Sequence, residues 1–301
     1  MTHSEALHNL NPLNRFTDKV ENYAKYRPTY PEELIDKILE GFVSRSQIVA
    51  ADIGAGTGIA ARQLAERGVR VIAIEPNAAM RDAGKNAISL NIESKSTESK
   101  STKSESTRSK STESTHIDQT CRVSAKSTSY FNVEWKDGTA EITNLPDASV
   151  DLITSFQAFH WFKPQPTLLE FSRILKSSGR LALVFNDLNR EDNFTKEYHK
   201  LILTTANNRL ATDFNAKIQP LRENPKWCYL QNHIFAYQQE LDLAKLIGLA
   251  KSVSFISSEE TIQKQLVTDL EDLYRSFTNE DGFVNLQYRA SLHIAELSSL
   301  S

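Results

Sequence analysis

The sequence has few cysteines and no long apolar segment. Cys121 and Cys228 are the two thiols among 301 residues, which permits one disulfide at most and gives no spacing typical of metal ligands. We therefore expect reduced thiols and no metal. No uncharged apolar run approaches the roughly 20 residues of a membrane span, and the N-terminal MTHSEALHNLNPLN lacks the features of a secretory signal. These absences predict a cytoplasmic protein with no membrane partner.

An excess of positive charge is also missing. Lys and Arg number 35 against 38 Asp and Glu, for a formal net charge of -3. Proteins that bind nucleic acid tightly normally present a basic face, because neutralising phosphates drives their affinity. A nucleic-acid partner is therefore not expected. A hydrophobic content of 40% in 301 residues favours one large core with additions, and the sequence is silent on oligomeric state.

One segment has no apolar side chain at all. ESKSTESKSTKSESTRSKSTEST, residues 93–115, repeats a short unit of Ser, Thr and alternating charge. Because such a segment buries nothing, it cannot offset the entropy of ordering its backbone, and we expect a disordered Ser/Thr/Lys/Glu insertion over residues 92–128. It is either a tolerated repeat expansion or a segment that is phosphorylated or binds a partner. Without the insertion, the helix-like segment before it would connect to the strand-like segment after it by a loop of ordinary length. The insertion therefore interrupts a single domain.

The rest of the chain alternates between short runs rich in Val and Ile and longer segments of helical period, which predicts an α/β fold with a doubly wound, mostly parallel sheet. The predicted strands are QIVAADIG, VRVIAIEP, FNVEWKD, SVDLITSF, RLALVFND and IFAYQQELD, and GFVNLQYRASLHIAEL is predicted to be a closing strand or a hairpin. The predicted helices include GIAARQLAERG, PNAAMRDAGKNA, KEYHKLILTTANN, LAKLIGLAKS and PQPTLLEFSRILKSSG. The last of these is expected to end at Gly179.

Glycine is scarce, with 10 residues in the chain, yet three lie within five positions of VAADIGAGTGIAARQLAERG. Gly54, Gly56 and Gly58 follow a predicted strand and precede a predicted helix, where they let the backbone turn sharply and approach a ligand closely. Asp52 precedes the turn at a position that is usually apolar in nucleotide-binding folds. An acid there would repel a pyrophosphate and suits a ligand with positive charge, such as an ammonium and a sulfonium.

A second acid supports a nucleoside ligand. Glu75 ends the second predicted strand about 20 residues after the turn, where a carboxylate accepts hydrogen bonds from both ribose hydroxyls. The dinucleotide fingerprint requires Gly or Ala at the sixth position of the turn, where this chain has Ile59, and no Gly-Lys-Ser/Thr of a P-loop follows. A nicotinamide-dependent oxidoreductase is therefore a less favoured alternative.

With these motifs the sequence resembles the class I S-adenosylmethionine-dependent methyltransferases with a methyltransferase type 11 domain, and is similar to trans-aconitate methyltransferase-like proteins. The motifs are FTDKVENYAKYRPTYP, VAADIGAGTGIAARQLAERG, VIAIEPNAAM, WKDGTAEITNLPDASVDLITSFQAFHWF and RILKSSGRLALVF. The resemblance covers residues 15–90 and 130–187. It implies a Rossmann-like seven-stranded sheet, S-adenosyl-L-methionine as cofactor, and methyl transfer to a small-molecule acceptor. A catalytically silent protein that binds the cofactor is the alternative.

The resemblance also implies which residues bind the cofactor. This set is Asp52, Gly54, Ala55, Gly56, Gly58, Glu75, Asn77, Met80, Thr139, Ala140 and Gln157. The glycine turn would pass under the methionine part, with Asp52 orienting it and Glu75 holding the ribose. Asn77 and Met80 would flank the adenine, although Met80 suits core packing equally well. Thr139 and Ala140 would bind the adenine edge, and Gln157 would face the methyl donor.

Methyl transfer from a sulfonium is an in-line displacement that depends on alignment and desolvation. His160 is the candidate for orienting or deprotonating an acceptor hydroxyl, since imidazole exchanges protons near neutral pH. The alternative is a histidine that bonds to the backbone, in a segment, TSFQAFHWF, that is simply a buried strand end with aromatic packing. A carboxylate acceptor would need no base. Trp161, next in the chain, would contact the substrate.

The segment NYAKYRPTYP resembles a lid over the pocket and supplies Tyr23, Tyr26 and Arg27 as substrate contacts. The planar guanidinium of Arg27 would bind an acidic acceptor such as a carboxylate, or else form a salt bridge that anchors the N-terminal helix. We expect lid helices over residues 1–40 and a cofactor-binding core over residues 41–91 and 129–190. Residues 191–301 are expected to complete the core and form a substrate cap.

Overall fold

The computed structural model describes residues 17–87, 132–207 and 214–298. The disordered insertion predicted for residues 92–128 lies outside the described residues, and so does Cys121. Cys228 is an exposed free thiol.

A seven-stranded sheet forms the centre of the described chain. Its strands are β1 (Val49–Ile53), β2 (Arg70–Ile74), β3 (Val133–Lys136), β4 (Val150–Phe156), β5 (Leu175–Leu188), β6 (Trp227–Leu241) and β7 (Val284–Leu297). Their order across the sheet is β3-β2-β1-β4-β5-β7-β6. β1 to β5 pair in parallel, and β7 is antiparallel to both β5 and β6. The predicted α/β fold with a mostly parallel seven-stranded sheet is confirmed.

Nine helices are described around this sheet. They are α1 (Val20–Tyr26), α2 (Glu32–Ile38), α3 (Ile59–Glu66), α4 (residues 78–87), α5 (Pro164–Ile174), α6 (Asn193–Thr205), α7 (Phe214–Arg222), α8 (Leu243–Lys251) and α9 (Glu260–Phe277). Sequence analysis leaves α7 and α9 unassigned. In the part of the chain that the structure describes, no helix combines the length and apolar character needed to cross a bilayer.

The predicted end of α5 at Gly179 is wrong. The helix ends at Ile174, and Leu175 adopts an extended conformation (φ -77°, ψ 133°) and pairs with Val150 of β4. The register then shifts before Leu152 pairs with Arg180, so β5 begins with an irregular segment. The helical period alone could not show this change, because pairing with β4 is a contact between residues distant in sequence.

Helices cover both faces of the sheet, as the doubly wound prediction requires. Successive residues of β1, Ala50 and Ala51, belong to two different buried clusters, because side chains alternate across a strand. α2 and α3 pack on the first face, and α5 and α7 on the second. A third buried cluster joins α6, α8 and α9 to the ends of β6 and β7. This third cluster forms a cap at one end of the sheet.

The N-terminal segment is bonded to this C-terminal cap. α1 packs against α8, and Lys19 Nζ donates a hydrogen bond of 2.7 Å to the carbonyl oxygen of Ile256. Ser258 Oγ donates to Asp18 Oδ2 at 3.0 Å. The N-terminal segment and the segment that follows α8 therefore meet in the cap.

Candidate functional site

The glycine turn after β1 forms the floor of the site. Gly54, Gly56 and Gly58 have φ values of +70°, +58° and +73°, a region that side chains with a Cβ rarely adopt. The amides of Gly54 and Ala55 donate to the carbonyl oxygen of Ile74 at 2.9 and 3.1 Å. These two bonds hold the turn against the end of β2. A Cβ on Gly54 would lie 2.6 Å from that of Ala158, so the site admits no side chain there.

Two buried carboxylates stand at the ends of β1 and β2. Asp52 is 1% exposed, and its Oδ1 accepts a hydrogen bond of 2.8 Å from Thr154 Oγ1. Glu75 is 9% exposed and accepts two backbone hydrogen bonds, from Gly56 at Oε2 and from Asn77 at Oε1, both of 2.9 Å. The structure therefore brings the two predicted acids and the glycine turn together.

Burial raises the pKa of both carboxyl groups. The pKa of Asp52 rises to about 7, because desolvation outweighs the hydrogen bond from Thr154. Desolvation also raises the pKa of Glu75, against the two backbone amides that lower it. Among the described residues, Asp52 has no Lys or Arg in ion-pair contact. A cationic ligand would supply the opposite charge that this buried carboxylate lacks.

The residues predicted to contact the adenine lie in the segments that follow β2 and β3. Asn77 caps α4, because its Oδ1 accepts a hydrogen bond of 3.1 Å from the Met80 amide, and its Nδ2 donates to Thr17 Oγ1. Met80 and Ala140 are each 3% exposed. Thr139, after β3, donates from its amide to the carbonyl oxygen of Ile142 at 3.0 Å. These side chains form a closed, mostly apolar edge beside Glu75.

The N-terminal segment covers the glycine turn. A Cβ built on Gly56 would lie 3.8 Å from Cε1 of Tyr23, so this ring is the roof above the turn. The Arg27 guanidinium lies 5.0 Å from the centre of the same ring, and its Nη2 donates to the carbonyl oxygen of Ser252 at 3.3 Å. Burial raises the pKa of the Tyr23 hydroxyl. Tyr23 is therefore a half-buried ring that lies over a half-exposed turn.

A cavity of about 240 Å³ lies beside this roof. The sequence-predicted residues that line it are Tyr23, Arg27, Gln157, His160 and Trp161. Tyr26 is not among its lining residues. The Tyr26 ring instead packs on Gly248 of α8, where an added Cβ would lie 2.2 Å from Cε2. The cavity therefore collects the predicted residues from two distant parts of the chain.

Sequence analysis missed the C-terminal half of this cavity. The further polar lining residues are Asn186, Asp187, Tyr198, His199, Ser254 and Tyr288. They come from β5, α6, β7 and the segment after α8, which share no motif and meet only through the cap. The desolvation of His199, with Arg190 nearby, lowers the pKa of its imidazole, against Asp187, which raises it.

Gln157 is held in an uncommon conformation at the end of β4. Its φ is +53°, which is rare for a residue with a Cβ and is found at sites where the surrounding structure enforces it. The Gln157 amide donates to the Val184 carbonyl at 2.9 Å, and its Nε2 donates to the carbonyl oxygen of Asn186 at 2.7 Å. Its Oε1 is buried and has no hydrogen-bond partner in the part of the chain that the structure describes. The side chain therefore presents one unused acceptor at the cavity.

Aromatic rings close another side of the cavity. The short 3₁₀ turn Phe159–Trp161 follows β4 and presents His160 and Trp161. The Trp161 ring stacks on Phe255, with centroids 5.5 Å apart and planes at 17°. The His160 ring lies 5.2 Å from the Trp161 ring. The wall is therefore rigid and largely apolar, with an imidazole at its border.

The comparisons with known proteins agree with this arrangement. A family model described as a methyltransferase domain matches residues 23–248. An uncharacterised methyltransferase of Mycobacterium tuberculosis is 29% identical over 187 residues, which cover 62% of this chain and 58% of that protein. An uncharacterised methyltransferase-like protein of Schizosaccharomyces pombe is 27% identical over 175 residues, 58% of this chain and 52% of the other. This chain therefore spans a little over half the length of these relatives.

A solved structure shows the same fold. It is described as a candidate type II methyltransferase from Anaeromyxobacter dehalogenans, and it aligns with a TM-score of 0.58 and 17% identity over 89% of this chain and 97% of that one. The glycine turn, the strand-end acids and the seven-stranded sheet define the class I S-adenosylmethionine-dependent methyltransferases. This chain belongs to the methyltransferase-domain family.

Proposed function

We propose that this chain transfers the methyl group of S-adenosyl-L-methionine to a small organic acceptor bound in the cavity beside Gln157. One observation carries the proposal. The Tyr23 ring covers the glycine turn and also lines the cavity, so a cofactor on the turn and an acceptor in the cavity would lie under one roof. Two adjoining sites that exclude water are what an in-line displacement needs.

The residues present fit that cofactor. Asp52 is a buried carboxylate that lacks a cation, and the ammonium and sulfonium of the cofactor supply positive charge. Glu75 would accept hydrogen bonds from the ribose, as carboxylates at this position do in nucleoside-binding sheets. Met80 and Ala140 offer an apolar edge for the adenine. When bound, the sulfonium supplies an electrophilic methyl group, and no metal is needed for its transfer.

Arg27 indicates an acceptor with a carboxylate. Its side chain lines the cavity, its Nε is buried without a hydrogen-bond partner, and no described carboxylate pairs with it. The salt bridge that would anchor the N-terminal helix is therefore not formed with any described residue, and the guanidinium is available for a planar acidic group. Its bond to the Ser252 carbonyl fixes it in the cap.

The remaining cavity residues position the acceptor. Trp161 and Phe255 offer a flat wall for its apolar part, and Tyr23 excludes water from the reacting atoms. His160 borders the same wall, where it would orient an acceptor oxygen or accept its proton. A carboxylate that is itself methylated needs no proton removed, and His160 would then act in orientation alone.

Transfer of a radiolabelled methyl group tests the proposal. Full-length protein is incubated with methyl-tritiated S-adenosylmethionine and a pool of small organic acids, and label in a new neutral or anionic product is the expected result. Binding of the cofactor by calorimetry without any transfer would instead support a silent binding protein. Binding of NAD in place of S-adenosylmethionine would overturn the proposal.

A matched pair of variants tests the role of Arg27. Arg27→Gln removes the guanidinium from the cavity, and we expect the KM for an acidic acceptor to rise about tenfold or more with cofactor affinity unchanged. Lys25→Gln removes a charge from the exposed side of the same helix and should leave both constants unchanged. Equal acceptor KM values in the two variants would refute a carboxylate contact.

A further inference from the structure

Three residues that line the cavity each have one buried polar atom with no hydrogen-bond partner among the described residues. They are Oε1 of Gln157, Oδ1 of Asn186 and Nε of Arg27. Buried polar groups in folded proteins are nearly always paired, because an unpaired one loses its hydrogen bonds to water without replacement. Three such atoms on residues that line one cavity therefore point to a ligand that completes the hydrogen bonding.

The two residues with unpaired amide oxygens are neighbours, and each side-chain amide donates one hydrogen bond. Gln157 Nε2 donates to the Asn186 carbonyl at 2.7 Å, which directs the Gln157 Oε1 atom away from that carbonyl. Asn186 Nδ2 donates to the Tyr237 hydroxyl at 2.5 Å, which leaves its Oδ1 unused. Both residues stand at the carboxyl ends of adjacent strands, β4 and β5. An amide oxygen only accepts hydrogen bonds, so this pair selects a ligand group that donates them.

Resting on the proposed function, we infer that the acceptor substrate carries a hydroxyl or an amine in addition to its carboxylate. Gln157 Oε1 and Asn186 Oδ1 bind the O–H or N–H of that group, and Arg27 binds the carboxylate. The substrate class is therefore a small hydroxy acid or amino acid. An unsubstituted acid of the same size would leave both amide oxygens buried and unpaired.

Matched sets of acids test this inference. One set is butyrate, 3-hydroxybutyrate and 3-aminobutyrate, and a second set has a phenyl group in place of the methyl group. Their dissociation constants are measured by ligand-detected NMR on the full chain saturated with S-adenosylhomocysteine. We expect the hydroxy or the amino member of a set to bind about tenfold or more tightly than its parent. Comparing the hydroxy member with the amino member of each set shows whether the site binds a hydroxyl or an amine.

Two variants connect that preference to the amide oxygens. Gln157→Met and Asn186→Leu each remove one acceptor at similar volume, and Asn186→Leu keeps the backbone carbonyl that Gln157 bonds. We expect both to reduce the preference to within about twofold. Asn186→Leu should leave the affinity for S-adenosylhomocysteine unchanged. Gln263→Met is the control, because Gln263 Nε2 also donates to a backbone carbonyl, that of Ser257, outside the cavity.

The outcomes separate this inference from the proposed function. Failure of S-adenosylhomocysteine to bind the wild-type chain would overturn the proposed function. With that binding intact, equal affinity within each set, no binding by any acid, or a preference that survives both variants would overturn the inference alone. Loss of cofactor affinity in the folded Gln157→Met protein would assign Gln157 to the cofactor and also overturn it.

Discussion

Glu75 and Gly56 are joined by a hydrogen bond of 2.9 Å, from the glycine amide to the carboxylate Oε2. This bond ties the end of β2 to the turn that follows β1, and the second oxygen of the same carboxylate accepts from the Asn77 amide. Glu75 thus fixes the distance between the two strand ends on which a nucleoside would lie. The carboxylate therefore has a structural role of its own.

Glu75→Gln should therefore impair both stability and cofactor binding. In the wild type, the backbone N–H groups of Gly56 and Asn77 each donate to one carboxylate oxygen of Glu75. The glutamine side chain keeps one oxygen and replaces the other with an NH₂ group, which is a donor. One of the two backbone N–H groups would then face another donor and lose its hydrogen bond. We expect a loss of about 1–3 kcal/mol in the free energy of unfolding and at least a tenfold weaker affinity for S-adenosylmethionine by calorimetry. Glu134→Gln, on the exposed side of β3, is the control and should change neither value appreciably.

Gly56→Ala and Gly68→Ala separate backbone strain from loss of the ligand site. Both residues have positive φ, +58° and +88°, so each substitution should cost about 1 kcal/mol in urea unfolding. A Cβ at position 68 meets nothing within 4 Å, whereas one at position 56 enters the space under Tyr23. Cofactor affinity should fall for Gly56→Ala alone. Equal affinities in the two variants would show that the turn is not the cofactor floor.

Asp52 should make the protein less stable as the pH rises from about 4 to about 7. Its pKa in the folded protein is about 7 because of burial, whereas an unfolded Asp titrates near 4, so the folded state holds the extra proton in this range. Once the pH exceeds the pKa of Asp52 in the folded protein, this loss of stability is complete. The free energy of unfolding of wild type relative to Asp52→Asn should drop by roughly 2 kcal/mol between pH 5 and pH 8. A constant difference would contradict a buried, neutralised Asp52.

The same carboxyl group should make cofactor affinity depend on pH. A cationic cofactor stabilises the ionised form of Asp52, so binding near neutral pH must release a proton. We expect the affinity of wild type for S-adenosylmethionine to fall as the pH drops below 7 and to level off above it. Calorimetry in buffers of different ionisation enthalpy measures the number of protons released on binding. Asp52→Asn should bind more weakly and without proton release from this group.

Gly248→Ala should destabilise the cap, although Ala normally favours a helix over Gly by about 1 kcal/mol. An added Cβ would lie 2.2 Å from the Tyr26 ring, so α1 must move away from α8. Thermal unfolding should show a lower midpoint for this variant. In a Tyr26→Leu protein, Gly248→Ala should lower the unfolding midpoint by a smaller amount. An equal decrease in both proteins would contradict the contact between Gly248 and the Tyr26 ring.

The glycine turn and its neighbouring acids, where we propose that the cofactor binds, could be placed together from sequence because their signals are local. Gly54, Gly56 and Gly58 are adjacent in sequence and all adopt positive φ, and Glu75 is the residue that follows β2. Parallel strands bring their carboxyl ends to one edge, so two strand ends read from sequence are enough to place a cleft. The strands, their number and their mostly parallel order followed from the same alternation.

The acceptor half could not be predicted in the same way. His199 and Tyr288 lie on α6 and β7 and reach the cavity only because the cap folds back over the sheet. No spacing in the sequence relates them to Gln157. α9 did carry a usable signal, since its buried Leu266 and Leu270 are four residues apart on an otherwise polar helix. Its position over α6 depends on packing alone.

The place of β7 has a consequence for how the protein is made. It is the last strand in the described chain, yet it lies between β5 and β6, and its Leu286 and Tyr288 form part of the cavity wall. On the ribosome, β1 to β5 emerge with the glycine turn complete while the acceptor cavity still lacks a side. Until about residue 290 has left the exit tunnel, a nascent chain lacks one wall of this cavity and so has no complete pocket for a ligand.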